Sequence, residues 1–287
     1  MRLSAWLRSA ARAVIDLVFP RACLVCDAPL LGTPRADLCA ACESQVVPVG
    51  EEACPRCGKP RGAPGIPSRR CRICRGRRFA FRRAVVAVRY ERVARHAVHA
   101  LKFMRRPLLA RPLGEWIAQA VLARPWSRRL DVVVPVPLHP SRLRERGYNQ
   151  AEEIAFVVAE ALGIPVDPLA LRRVRATSRQ ARLTLAARRA NPAGAFLARV
   201  PWRARMGRAW RRLPSGPMRV ASRFGVPRDA PARLLDAVAL LDSAPTVEGK
   251  RVLLVDDVIT TGATLDACAR VLLAAGARSV WVAVAAG

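Results

Sequence analysis

The run Val252–Leu265, VLLVDDVITTGATL, places two adjacent carboxylates, Asp256 and Asp257, after a short apolar stretch and just ahead of a Thr/Gly turn. That turn offers several backbone N–H groups and the hydroxyls of Thr260, Thr261 and Thr264 around Gly262 and Ala263, where a helix begins. A cradle of small residues at the positive end of a helix is what a phosphate monoester needs. Carboxylates a few residues upstream would repel a phosphate aimed at them. They are well placed to accept hydrogen bonds from ribose hydroxyls instead.

A second chemistry is written in cysteine. Eight of the nine cysteines form four C-x-x-C pairs: Cys23/Cys26, Cys39/Cys42, Cys54/Cys57 and Cys71/Cys74. Each pair presents two thiolates from one knuckle, and two knuckles complete a tetrahedral zinc site built of sulfur alone. Four pairs supply two Zn2+ sites. Separations of 12, 11 and 13 residues favour sequential pairing, first with second and third with fourth, over an interleaved arrangement. A closed four-sulfur site leaves no position for water, so its role is structural, replacing a core that this Pro-, Gly- and Arg-rich segment lacks. An iron–sulfur cluster or redox dithiols would not call for two similar tandem modules. Cys268, alone in a late helix, reads as a buried small hydrophobe.

These groups need elements to position them. Ala84–Tyr90, Asp131–Val136, Arg251–Val255 and Ser279–Val284 read as strands, rich in valine and apolar on both faces. His96–Met104, Leu108–Leu122, Gln150–Leu162 and Thr264–Ala275 read as helices, the last two stopped by Gly163 and Gly276. Strands alternating with helices imply an α/β fold with a mostly parallel sheet, whose ligands bind beyond the carboxyl ends of the strands. Residues 1–20 read as an amphipathic helix, 21–78 as a double zinc ribbon, and 79–287 as the α/β domain. The latter holds a basic insertion at about 199–244 without convincing periodicity.

Three further motifs accompany the acidic pair: LKF at 101–103, PVPLHPSRLRERGYNQ at 135–150 and RATSRQARLTLAARRANPAGAF at 175–196. The run from Val252 resembles the phosphoribosyltransferase signature, and together with the eight cysteines the chain resembles the ComF/GntX family. That resemblance implies a phosphoribosyltransferase-like fold behind an N-terminal zinc ribbon. It further implies that Asp256 and Asp257 hold the ribose hydroxyls of phosphoribosyl pyrophosphate, bound with Mg2+, while the Thr260–Thr264 loop holds the 5′-phosphate. By the same analogy the loop after the strand at 131–136 faces the pyrophosphate, with Arg142, Arg144 and Arg146 as suitable cations. Asn149 and Gln150 open the next helix, where they can hydrogen-bond a ligand or cap the helix. Lys102 and Gln180 match recurring family positions. The insertion before the ribose-binding strand departs from the short connection usual in relatives.

The whole chain, 287 residues with 50 Lys+Arg against 21 Asp+Glu, has a formal net charge of +29, which points to polyanionic partners. Its 52% hydrophobic content excludes wholesale disorder. From Cys54 to Tyr90 there are twelve cations and no acid. Between Pro168 and Arg228 there are 16 arginines and no acid, with Phe196, Trp202, Trp210 and Phe224 interspersed. Cations beside aromatic rings suit single-stranded DNA. No apolar run is long enough to span a bilayer and no secretory signal is recognisable, so a cytoplasmic protein with reduced thiols is expected. The family resemblance links such a protein to DNA uptake in competence or to DNA utilisation, with DNA-uptake or DNA-processing proteins as partners. The alternative is an active phosphoribosyltransferase in nucleobase or nucleotide salvage without a DNA role.

Overall fold

A computed structural model describes residues 21–30, 37–50, 53–61, 71, 74, 77–176, 194–198 and 247–287. The helix expected over 1–20, the insertion at 199–244 with its tryptophans, and Gln180 lie outside these residues.

Four strands, β1 (Ala84–Val88), β2 (Val132–Pro135), β5 (Arg251–Val258) and β6 (Ser279–Ala286), form a sheet in the order β1-β6-β5-β2, every pairing parallel. Their Val- and Ala-rich sequences suit burial on both faces, and β1, β2 and β6 are buried along their whole length. One face packs on α2 (Arg92–Phe103), α3 (Ala110–Leu122) and α5 (Gln150–Leu162), through residues such as Leu101, Leu113, Ile154, Leu253 and Val255. The other packs on α6 (Ala263–Ala274) and the second cysteine module, through Val252, Leu254, Leu265 and Phe81. Gly114 brings α3 against α5: a Cβ there would stand 2.6 Å from that of Val157.

Both sheet edges are covered, which blunts their unpaired backbone groups. Beyond β2, Val133 donates to Pro165 O and Asp167 donates to Val133 O, both at 2.9 Å. Along β1, Val49 donates to Ala87 O at 3.0 Å and Arg89 to Val47 O at 2.8 Å, so the segment between the two cysteine modules serves as an antiparallel edge.

Sequence reading located the main elements but not several smaller ones. Helix α4 (Pro140–Arg146) starts at a His139 cap that accepts from Ser141 N and ends at Gly147, φ +88°. Strands β3 (Leu171–Arg173) and β4 (Phe196–Ala198) form an antiparallel pair. Strand β5 also runs three residues past the expected end at Val255, because β6 supplies ladder partners as far as Ala286. Both aspartates therefore belong to the strand.

The first cysteine module, with its short helix α1 (Ala40–Glu43), packs against Val93 of α2 and Trp116 of α3. Arg106 secures it with a forked contact to Asp27, at 3.0 and 3.1 Å.

Candidate functional site

At the carboxyl end of the sheet lies a cleft of about 750 Å³. Among the residues expected to bind ligand, Lys102, Arg142, Arg146, Gln150, Asp256, Asp257, Thr260, Gly262, Ala263 and Thr264 all line it. They come from α2, α4, the start of α5, the end of β5 and the β5–α6 loop, segments up to 162 positions apart in the chain.

The two aspartates are not equivalent. Successive strand residues point to opposite faces, so Asp257 shares the side of Leu253 and Val255 while Asp256 shares that of Val252 and Leu254. Asp257, 3% exposed, accepts an ion pair from Lys102 Nζ to Oδ1 at 2.7 Å. Burial disfavours the Lys102 ammonium, yet Asp257 outweighs this and holds its pKa above the usual lysine range. The other carboxylate oxygen of Asp257, Oδ2, is buried without a hydrogen-bond partner among the described residues. Such an atom is costly to leave unsatisfied and marks where a donor or a cation is expected.

Asp256 uses Oδ1 to accept the N–H of Asp257 at 2.9 Å. Burial, reinforced by the neighbouring Asp257, pushes its pKa up to about 7 against the opposing charge of Lys102. Arg173 of β3 acts on Asp256 from this face, and Cys268 of α6 is close by. Cys268 is fully buried, as its sequence context suggested, and burial raises its thiol pKa well above the ordinary value.

Helix α6 begins at Gly262, whose φ of +72° only glycine adopts readily. The sharp turn leaves Thr260 exposed and directs Ala263 and Thr264 to the cleft. Thr261 does not line the cleft: it is 6% exposed, and its hydroxyl lies 3.4 Å from Ala263 N. Its carbonyl accepts a hydrogen bond from Arg77 at 2.8 Å. Arg77 and Phe79, which packs behind Gly262, support the loop from the segment leading into β1, a role that no motif announced.

On the opposite wall Arg142 pairs with Glu145 at 2.6 Å. Arg146 donates to Gln150 Oε1, and its guanidinium lies 5.6 Å from the ring centre of Phe103. Arg144 is exposed and is not among the lining residues. Asn149 does not line the cleft; it caps α5, accepting from Ala151 N and donating to Val136 O, each at 3.2 Å. Tyr148 donates to Leu101 O, tying the α4–α5 connection to the turn of α2 that carries Lys102. Lys59, His139 and Arg173 also line the cleft without having been singled out for it. Only charge excess marked the stretches around Lys59 and Arg173 in the sequence.

The cysteines form two groups, Cys23/Cys26/Cys39/Cys42 and Cys54/Cys57/Cys71/Cys74, with the sulfurs of each within 4.8 Å of one another. Pairing is therefore sequential. Sulfur separations of 3.6 Å for Cys26–Cys39, 3.7 Å for Cys54–Cys74 and 3.5 Å for Cys57–Cys71 approach the edge of a tetrahedron with zinc at its centre. With Zn–S near 2.3 Å that edge is about 3.8 Å. Both groups fit zinc.

Comparison with known proteins agrees with this arrangement. Residues 14–75 match the double zinc ribbon domain and residues 218–287 the phosphoribosyl transferase domain. The chain is 29% identical over 269 residues to the DNA utilization protein YhgH of Salmonella typhi, covering 93% of this chain and 96% of that protein. It is 24% identical over 248 residues to competence protein F of Haemophilus influenzae, covering 85% and 88%. Identity to competence protein ComFC of Bacillus subtilis is 24% over 274 residues, covering 88% and 89%. Among the described residues no helix is long and apolar enough to cross a membrane.

Proposed function

We propose that this chain, with its matches to the double zinc ribbon and phosphoribosyl transferase domains and its similarity to competence proteins F and ComFC, is a ComF-family protein whose cleft binds phosphoribosyl pyrophosphate, or a related ribose phosphate, with Mg2+. We place that pocket in a protein of DNA uptake or DNA utilisation. The relatives' names and the charge of +29 support the second part. The carrying observation for the first is Asp257: Lys102 fixes one carboxylate oxygen, while the buried second oxygen, Oδ2, has no hydrogen-bond partner among the described residues.

In this reading Asp257 Oδ2 and Asp256 accept the ribose hydroxyls, and the ion pair with Lys102 holds the Asp257 side chain in position. The 5′-phosphate lies against the backbone N–H groups at the start of α6 and the hydroxyls of Thr260 and Thr264. Arg142 and Arg146 face the pyrophosphate, held in position by Glu145 and Gln150. Mg2+, when bound with the ligand, would shield the pyrophosphate charge, and the carboxylates of Asp256 and Asp257 are its candidate protein contacts. Such a site works by orientation and charge placement, with no protein nucleophile required. The arginine-rich tract between Pro168 and Arg228 is the candidate for contacting single-stranded DNA.

Calorimetry with phosphoribosyl pyrophosphate and Mg2+ tests this directly. Asp257→Asn, which keeps the side-chain shape, should weaken binding at least tenfold while leaving affinity for single-stranded DNA largely intact. Replacing arginines within 199–228 should do the reverse and flatten the salt dependence of DNA binding. Unaltered phosphoribosyl pyrophosphate binding by Asp257→Asn would refute the assigned pocket.

A further inference from the structure

One residue lining the cleft, Lys59, comes from the second cysteine module. The knuckle Cys54–Cys57 is followed by Gly58, φ +72°, where a Cβ would stand 2.6 Å from Ala84 O and 2.9 Å from Val86 N. The knuckle backbone thus rests directly on β1, and Ala84 N donates to Arg56 O at 2.9 Å. Lys59 comes next; its carbonyl closes the knuckle by accepting from Cys54 N at 2.8 Å, and the residue lines the cleft. The segment leaving the same cysteine group also grips the β5–α6 loop. Arg77 donates to Thr261 O, Phe79 lies 3.2 Å from where a Cβ of Gly262 would stand, and Ala80 N donates to Asp266 Oδ1 at 2.6 Å.

The charges in the cleft differ in their pairing. Lys102 is paired with Asp257, and Arg142 with Glu145. Lys59 is half-buried; the negative groups acting on it are the thiols of Cys57 and Cys71, and among the described residues no carboxylate lies within ion-pair distance of it. With no carboxylate engaging it, the Lys59 ammonium is open to contact with an anionic ligand in the cleft it lines.

We propose that Lys59 is a ligand-binding residue of the cleft, contacting the phosphoryl groups held there, so that the second cysteine module contributes a residue to the binding site. The proposal rests on the ribose-phosphate reading above and extends it to a residue of the zinc ribbon. It makes the ribbon a contributor to small-anion recognition in addition to any contact with DNA.

The test uses the full zinc-loaded chain with phosphoribosyl pyrophosphate and Mg2+. Lys59→Met should weaken binding about tenfold, as loss of one charge-assisted hydrogen bond does, and Lys59→Arg should retain most of the affinity. Zinc content should stay at two per chain in both variants. A second measurement needs no variant: acetylation of the wild-type lysines, mapped by peptide mass spectrometry. The chain has three lysines, Lys59, Lys102 and Lys250. Ligand should slow acetylation of Lys59 several-fold and leave Lys250, which does not line the cleft, unchanged. Wild-type affinity in Lys59→Met, or no protection of Lys59 while the wild type binds, would overturn the proposal alone. Failure of the wild type to bind the compound would remove the ribose-phosphate reading and this inference with it.

Discussion

Two neighbouring aspartates with the same side chain occupy different electrostatic settings. Asp257 has a lysine at 2.7 Å, whereas burial and the charge of the adjacent Asp257 push the pKa of Asp256 up to about 7. A carboxyl whose folded pKa lies above its unfolded value binds protons preferentially in the native state. Its contribution to stability is therefore full below the unfolded value of 3.8 and is lost as pH rises through about 7. Asp256→Asn retains the acceptor for Asp257 N–H and removes the ionisation. The variant should therefore melt above the wild type at pH 8, with the gap smaller at pH 5 and closing only as pH approaches 3.8, as measured by calorimetric scans. Equal gaps at both pH values would show that Asp256 ionises freely. The adjacency of the two acids was legible in the chain. Their division between sheet faces, and hence their different partners, followed from a strand that continues through them.

At the scale of elements, the β5–α6 loop is shaped from two sides. Its own sequence provides Gly262 at φ +72° and the start of a helix, while Phe79 and Arg77 brace it from a segment more than 180 positions earlier. Gly262→Ala forces a side chain into a left-handed backbone and against the Phe79 ring. The expected cost is about 1–2 kcal/mol of stability, from positive φ and local overpacking. Differential scanning should show a melting point lower by a few degrees, and calorimetry a weaker ligand affinity. The long valine-rich strands and the helix Gln150–Leu162 were readable because their periodicity and glycine stop agree with their burial. Helix α4 is seven residues long with no buried residue, and β3 and β4 are three residues each. Elements that short leave no hydrophobic period to detect.

For the molecule as a whole, the cysteine modules are integrated with the sheet. The first is held to α2 and α3 by Val93, Trp116 and the Arg106–Asp27 pair; the second rests on β1 and on the cleft loop. Metal analysis should return two zinc per chain, and a chelator should lower the melting temperature of the entire protein in one transition. A return of one zinc would mean that one cysteine group serves another purpose. Two separate melting transitions would show that the modules fold independently of the sheet.

The sequence by itself determined the chemistry available: eight thiolates at knuckle spacing, an acidic pair ahead of a Thr/Gly turn, and an excess of cations. Those are local signals, fixed by residue type and by separations of a few positions. Tertiary structure alone decided which cation meets which acid: Lys102 with Asp257, Arg173 near Asp256, Lys59 facing the cleft without a carboxylate, and Arg77 behind the loop. Those pairings join residues from distant parts of the chain. They depend on the alternation of side chains across a parallel sheet and on how the flanking modules pack against it, and spacing along the chain does not encode either.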